Sequence, residues 1–201
     1  MGCVKPALFA LLAGGSPVAA QSAPPSWFSV ARTAVYQTGD SWTDSGTLYR
    51  LYGVQSCLRG TSFTNSRGLN RDCGEVSLAM LIALVRDLNP QCYPAAALPE
   101  RRTVFVFCIA PRVAGSAAGS RIDLGTALIA TGYGFAALRP DGSPVHAPYL
   151  VAQHVAQREH AGLWAYADLP DPNAIIARAL RTEQSAARLA PPASATNPIA
   201  P

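Results

Sequence analysis

Residues 38–57, TGDSWTDSGTLYRLYGVQSC, contain a turn and a strand around which the rest of the fold is arranged. Thr38-Gly39-Asp40 has the composition of a tight turn. Residues 48–54 have the apolar and aromatic content of a β-strand, and residues 28–37 alternate loosely enough to supply a strand before the turn. Residues 58–71 are rich in Gly, Ser, Asn and Arg, which predicts an exposed loop.

Residues 73–88, CGEVSLAMLIALVRDL, form the clearest helical pattern in the chain, because apolar residues recur at steps of three and four. Asp72 is placed to cap the N-terminus, and Glu75 follows three residues later as in a capping box. Asn89-Pro90 ends the helix.

The second half of the chain predicts two more strands and three more helices. Cys92-Tyr93 and residues 103–108 have strand composition, with a loop over residues 94–102 between them. Residues 110–120 predict a flexible loop. Capping and stop signals predict helices over residues 124–131, 148–161 and 172–189. This order of elements predicts an α+β domain, or a small barrel with helices packed on it.

The ends of the chain predict export and a single folded domain. Residues 1–20 combine Lys5, a short apolar run and Val18-Ala19-Ala20, which is typical of a signal peptide. We expect a linker over residues 21–30, the domain over residues 31–168, and a C-terminal helix with a disordered Pro/Ala tail over residues 169–201. The signal-peptide pattern predicts a periplasmic or secreted location. No apolar run approaches the ~20 residues that span a bilayer.

Composition excludes a disordered chain and a strongly basic nucleic-acid tail. Hydrophobic residues make up 49% of the sequence and charged residues 14%, which is enough to build a core. The formal net charge is only +4, and the positive charges form no dense block.

Four cysteines remain after the predicted signal peptide, namely Cys57, Cys73, Cys92 and Cys108. An even count in an exported chain indicates two disulfides, for which three pairings exist. Their spacings do not match a zinc site. A nucleophilic pair of Cys57 and His154 is a weaker alternative.

Several segments together resemble the staphylococcal-nuclease-like, or thermonuclease, family. These segments are TGDSW (38–42), YRLYGVQSC (49–57), CG (73–74), ERRTVFVFC (100–108), IDLGTALIATGYGFA (122–136) and YLVAQHVAQREHAGLW (149–164). The resemblance covers most of residues 31–164. It implies a five-stranded OB-fold β-barrel with about three packed helices, and calcium-dependent cleavage of DNA and RNA.

The resemblance transfers the family's catalytic groups only in part. The family's turn has two aspartates near the metal, of which Asp40 matches the second and Thr38 stands in place of the first. Arg50 and Arg102 match the two phosphate-binding arginines, with Arg101 nearly as suitable as Arg102. A further metal-binding aspartate downstream is replaced by Gln55, and the glutamate that activates water is replaced by Leu58. Asp44, Glu75 and Glu100 are conceivable stand-ins, although nothing in the sequence supports them. We therefore expect no cofactor, or calcium if the protein is active.

The resemblance also bears on the disulfides and the aromatic residues. The family pairs the strands that contain Cys92 and Cys108, which favours a Cys92–Cys108 bridge. A Cys57–Cys73 bridge would then pin the exposed loop to the first helix. Four aromatic residues are candidates for stacking on bases, or alternatively for closing the core around the last helices: Tyr133, Phe135, Tyr149 and Trp164.

Three functions remain open at this point. The favoured one is an exported, catalytically impaired thermonuclease-like module that binds single-stranded nucleic acid or another partner. An active calcium-dependent phosphodiesterase with a rearranged site is the first alternative. The second alternative is a structural subunit of an envelope assembly, in which residues 172–189 hold an envelope protein.

Overall fold

The computed structural model describes residues 26–111 and 121–189. The predicted signal peptide, residues 112–120 of the predicted loop over residues 110–120, and the tail from residue 190 lie outside these described residues. The first two residues of that predicted loop are instead the end of a strand. Eleven strands and four helices are present in the described part of the chain. The strands are β1 (Phe28–Ser29), β2 (Val35–Thr38), β3 (Ser41–Asp44), β4 (Thr47–Leu51), β5 (Val54–Gln55), β6 (Ser62–Thr64), β7 (Asn70–Asp72), β8 (Gln91–Leu98), β9 (Thr103–Pro111), β10 (Arg121–Asp123) and β11 (Phe135–Ala136). The helices are α1 (Cys73–Leu88), α2 (Leu124–Ala130), α3 (Ala147–Arg158) and α4 (Pro172–Leu189).

The main sheet has the strand order β1-β8-β9-β4-β3-β2, with β10 also paired to β9. β4 and β9 run parallel, whereas the other neighbours in this sheet are antiparallel. Strands β2, β3, β4, β8 and β9 therefore follow the order 1-2-3-5-4, and α1 connects the third to the fourth. This is the connectivity of an OB fold.

The two edges of this sheet belong to one short stretch of chain. β1 forms one edge and β2 the other, and only residues 30–34 lie between them. A link of this length spans at most about 20 Å, so the sheet must curl until its edges approach each other. The predicted α+β class with an OB-like barrel and packed helices is confirmed.

The core lies inside this curled sheet and under α1 and α2. α1 buries one face through Cys73, Ser77, Leu81 and Val85, at steps of four residues. The largest side chains that are almost completely buried include Trp42, Leu81, Leu124 and Leu128. The helical periodicity read from the sequence thus corresponds to the face that packs on the barrel.

The strands differ from the sequence prediction in several places, and the predicted strand over residues 48–54 is divided into β4 and β5. β8 continues through Leu98, so most of the predicted loop over residues 94–102 is strand. Pro94 is accommodated because the register shifts between Pro94 and Ala96, and a bulge tolerates a missing donor. The predicted strand over residues 28–37 is split into β1 and β2, and the predicted loop over residues 58–71 contains the hairpin β6–β7.

Asp72 caps α1 as the sequence predicts. Its carboxylate accepts hydrogen bonds from the backbone N–H of Glu75 at 2.9 Å and of Gly60 at 2.7 Å. Slight desolvation raises the pKa of Asp72, but these backbone donors outweigh it and hold the pKa below 3.8. The cap therefore joins the start of α1 to the loop before β6.

Replacing Asp72 with alanine is expected to lower the free energy of unfolding by about 1 kcal/mol at pH 7, the usual cost of losing a side-chain cap. Because the folded-state pKa is depressed, this stability is present above the ordinary value and is lost as pH falls through the folded pKa. Urea unfolding at several pH values checks this. The stabilities of the wild type and Asp72→Ala should converge as pH falls through the folded-state pKa of Asp72, and an undiminished difference in unfolding free energy in acid would contradict the ionised cap.

Candidate functional site

Asp40 lies in the turn between β2 and β3 and is completely buried. Its carboxylate accepts hydrogen bonds from the hydroxyls of Thr38 and Ser56, the latter at 3.1 Å. Its backbone carbonyl accepts a hydrogen bond from Leu51 N at 2.9 Å, which holds the turn against the end of β4. A buried carboxylate needs such donors, because desolvation without partners is costly.

Arg50 is the charged partner of Asp40. The Arg50 guanidinium donates through Nη2 to Asp40 Oδ2 at 2.5 Å, and the Arg50 side chain is 36% exposed against 1% for Asp40. Arg50 lies on the outer side of β4, since the neighbouring Leu51 is buried and Tyr49 stacks on buried Trp42. The guanidinium has five N–H donors, so a single bond to Asp40 leaves capacity for an anion.

An open groove of about 690 Å³ lies on this outer side of the barrel. Arg50, Gln55, Leu58 and Arg59 line it, and Ile176 of α4 closes one side. Asp40 is the sole carboxylate among the described residues that line the groove. The groove therefore presents two arginines, polar amide and hydroxyl groups, and an apolar wall.

The structure does not bring the second predicted arginine into this groove. Arg102 is exposed, follows a short 3-10 turn over Pro99–Arg101, and lies beside the turn between β3 and β4 at Gly46. Its neighbour Arg101 lines a separate depression of about 570 Å³ together with Asp44. Arg50 and Arg102 therefore sit in different parts of the surface.

The conceivable replacement acids also lie outside the groove. Glu75 and Glu100 are exposed, on α1 and on the 3-10 turn respectively, and Asp44 accepts a hydrogen bond from Ser45 at the end of β3. Gln55 and Leu58, in contrast, both line the groove. The positions at which the family resemblance requires carboxylates thus face the groove, but they carry an amide and an isobutyl group.

The donor set does not fit calcium. Calcium takes six to eight oxygen ligands, usually including several carboxylates. Here Asp40 is already neutralised by Arg50, Ser56 donates to Asp40, and Gln55 Nε2 donates to the Ser56 carbonyl at 2.9 Å. Within residues 26–111 and 121–189, no three His, Cys, Asp or Glu side chains cluster closely enough to hold a metal.

Two disulfides frame the site and the barrel. Cys57, which lines the groove, is bonded to Cys73 at the start of α1, and Cys92 on β8 is bonded to Cys108 on β9. Both predicted pairings are confirmed. The alternative of a Cys57–His154 nucleophile is wrong, because the Cys57 sulfur is consumed in a disulfide. Such bonds are typical of an oxidising, extracellular environment.

The aromatic residues singled out from the sequence are mainly packing residues. Phe135 and Tyr149 are buried, and Trp164 packs edge-on against Phe135 with ring centroids 5.1 Å apart. Tyr149 donates its hydroxyl to Asp123 at 2.7 Å, and burial together with the Asp123 charge raises the pKa of Tyr149. These rings close the core around α2 and α3. This is the second of the two roles that the sequence allows for them, the first being stacking on bases.

Gly39 sets the distance between the Asp40 turn and α1. A Cβ at this position would lie 2.5 Å from Ser77 Oγ and 2.7 Å from the Ser77 carbonyl carbon. The backbone of α1 at Ser77 and the Asp40 turn therefore lie closer together than any side chain at position 39 would allow.

Gly39→Ala is expected to lower the free energy of unfolding by about 2 kcal/mol, because overpacking forces the turn away from α1. Thermal or urea unfolding measures the loss. Gly142→Ala is the matched control, since a Cβ there meets nothing within 4 Å and costs only the left-handed backbone conformation, with φ of 84°. If Gly39→Ala and Gly142→Ala lowered the free energy of unfolding equally, the close packing of Gly39 against Ser77 would be contradicted.

Comparison with solved structures finds a likeness to the extended Tudor domain of Drosophila melanogaster Tudor-SN (p100). The two share 20% sequence identity with a TM-score of 0.39, over 59% of this chain and 47% of that chain. The chain thus spans about half the length of the structure it matches. No family model and no curated protein matches the sequence. A likeness this distant carries no argument about activity. No helix among the described residues is long and apolar enough to cross a membrane.

Proposed function

We propose that this chain is an exported, thermonuclease-like OB-fold protein that binds single-stranded nucleic acid without hydrolysing it. The observation that carries the proposal is the state of Asp40, the sole carboxylate among the described groove residues, which is buried and bound to Arg50. The groove is therefore built to hold an arginine in place rather than a divalent cation.

Loss of hydrolysis follows from the side chains that face the groove. Leu58 cannot accept a proton or orient water, and removal of a general base typically costs 10²–10⁴ in rate. Gln55 supplies a neutral amide in place of a charged metal ligand, so charge that develops on the phosphate loses its counter-ion. Together these changes favour binding over catalysis.

Affinity for an anionic strand is supported by the two arginines of the groove. Arg59 is exposed, and Arg50 is partly exposed and uses one of its five N–H donors on Asp40. OB barrels commonly offer their outer face to oligonucleotides. Two phosphate contacts on a single strand predict a salt dependence with a slope of about −1.4 in log K against log salt.

Fluorescence anisotropy with a labelled 12-nucleotide strand tests the proposal. We expect micromolar binding at low salt, and weaker binding by Arg59→Gln. Arg158→Gln is the matched control, because this exposed arginine lies at the end of α3 and does not line the groove. Absence of binding at low salt, or equal effects of the two variants, would overturn the proposal.

Exposed apolar residues on α4 favour the capture of an envelope protein as a second candidate function. Ile175 is 36% exposed and Leu180 is 41% exposed. The start of α4 is held by the domain, because Pro172 is buried and Asn173 Nδ2 donates to the Ala136 carbonyl at 3.0 Å. Truncation after Ala177 removes Leu180 and keeps the groove residue Ile176, so it should weaken partner capture while sparing the groove. If the truncated protein still captured its partner as well as the full chain does, this second candidate function would be ruled out.

A further inference from the structure

A band of aromatic rings crosses the outer face of the sheet beside Arg50. Trp27 and Tyr93 have ring centroids 5.4 Å apart, and Tyr52 and Phe107 lie 5.1 Å apart. Tyr93 and Phe107 are direct cross-strand partners on β8 and β9. These four side chains, which we call the aromatic band, extend from Tyr52, just after β4, to Trp27, just before β1. The inner edge of the Phe107 ring packs against the core, and His146 lies against this ring at a centroid distance of 5.4 Å.

The alternation of the strands explains why the aromatic band faces outward. Cys92, Val106 and Cys108 are completely buried on the inner side. Tyr93 and Phe107 occupy the intervening positions and are only partly buried, since successive side chains of a strand point to opposite faces. Trp27 is 50% exposed, which is unusual for the largest apolar side chain.

Arg50 belongs to the same outer face. Leu51, the last residue of β4, is buried, and Tyr52 begins the turn that follows, where its ring packs against Phe107. Arg50 is paired in register with Phe105, and Tyr52 N donates to the Val106 carbonyl at 2.9 Å, which places Tyr52 beside Phe107. Two residues along a strand correspond to about 7 Å, so one nucleotide could reach both Arg50 and the first ring.

We propose that the aromatic band is the base-stacking platform for single-stranded nucleic acid whose backbone is held at Arg50. This inference rests on the proposed function and deepens it, because it assigns the ligand class and its path. The strand runs from the groove across Tyr52 and Phe107 to Tyr93 and Trp27. Binding tolerates any sequence, since every base offers a face to stack.

Charge and chemistry favour an unpaired polyanion over other occupants. The charged group at the near end of the band is Arg50, which pairs in register with Phe105 on β9 and lines the groove. Stacking on a protein ring requires bases that are not already stacked and paired in a duplex. A neutral polymer would use the rings but not the arginines, and a duplex would use the arginines but not the rings.

The test compares a 12-nucleotide thymidine strand with an abasic strand of the same length. Trp27→Ala combined with Tyr52→Ala should weaken thymidine binding at least about tenfold and leave abasic binding unchanged, because only stacking is removed. Val151→Ala, another exposed apolar truncation at 65% exposure, is the control and should change neither. The melting temperatures of all variants establish that each remains folded.

Tryptophan fluorescence supplies a second readout. Trp27 is half-exposed, whereas Trp42 is buried in the core and Trp164 packs against Phe135. Stacking should quench the emission of the wild type, and Trp27→Phe should remove most of that quenching without loss of fold.

The outcomes separate this inference from the proposed function. Equal thymidine affinity of the wild type and the double variant, with weaker binding by Arg59→Gln, would overturn the platform and leave the proposed function standing. Equal binding of a hairpin duplex and the thymidine strand would also overturn it. Absence of binding to every strand would overturn both.

Discussion

Replacing Arg50 with alanine is expected to lower the free energy of unfolding by about 3 kcal/mol, because the buried Asp40 carboxylate loses its charged partner. The hydroxyls of Thr38 and Ser56 would remain as donors, but neither neutralises the charge. Urea unfolding at pH 7 measures the loss. This effect would be large against the 5–15 kcal/mol that typically stabilises a domain.

The control for this prediction removes both charges together. Asp40→Asn combined with Arg50→Gln keeps polar partners at both positions, and we expect it to cost much less than Arg50→Ala alone. A loss below about 1 kcal/mol for Arg50→Ala would contradict the dependence of the buried Asp40 carboxylate on Arg50, since exposed pairs are worth that little.

Removal of the Cys57–Cys73 disulfide is the second large effect. The bond closes a loop with a sequence separation of 16, and a loop of this length is worth about 3 kcal/mol in the chain-entropy model. Cys57→Ala with Cys73→Ala should therefore lower the unfolding free energy by about that amount. We also expect weaker oligonucleotide binding, because Cys57 and the adjacent Leu58 and Arg59 line the groove.

The Cys92–Cys108 disulfide is a matched comparison, because its sequence separation is also 16. The chain-entropy model predicts the same loss of stability for its removal, but this bond lies within the β8–β9 pairing and away from the groove. Binding should therefore change only in the Cys57/Cys73 variant. Wild-type stability in that variant, or equal loss of binding in both, would contradict this assignment.

The helices could be predicted closely from the sequence because their signals are local. Asp72 and Asp123 both accept hydrogen bonds at helix N-termini, and α4 has the predicted limits. The strand pattern around Pro94 was not predictable in the same way. An alanine-rich segment after a proline has weak strand propensity, and it is strand here because β9 pairs with it.

The site could be predicted in part, for a similar reason. The sequence singles out Asp40 and Arg50, but their ion pair depends on the β3–β4 register, in which Ser41 faces Arg50. Arg102 stands apart because β9 begins at Thr103 opposite Leu48, which leaves Arg102 at the far turn. The sequence alone gives no signal for the aromatic band, because its four residues come from separate segments that only the sheet brings together. These residues are Trp27, Tyr52, Tyr93 and Phe107.

A nuclease assay tests the central claim most directly. The oxidised protein is incubated at high concentration with single-stranded DNA and with RNA, in calcium and in chelator, beside the Asp40→Asn/Arg50→Gln variant. We predict no cleavage in either condition, together with binding of the same strands by the wild type. Calcium-dependent cleavage that is lost in the variant would contradict the account and would establish an active phosphodiesterase with a rearranged site.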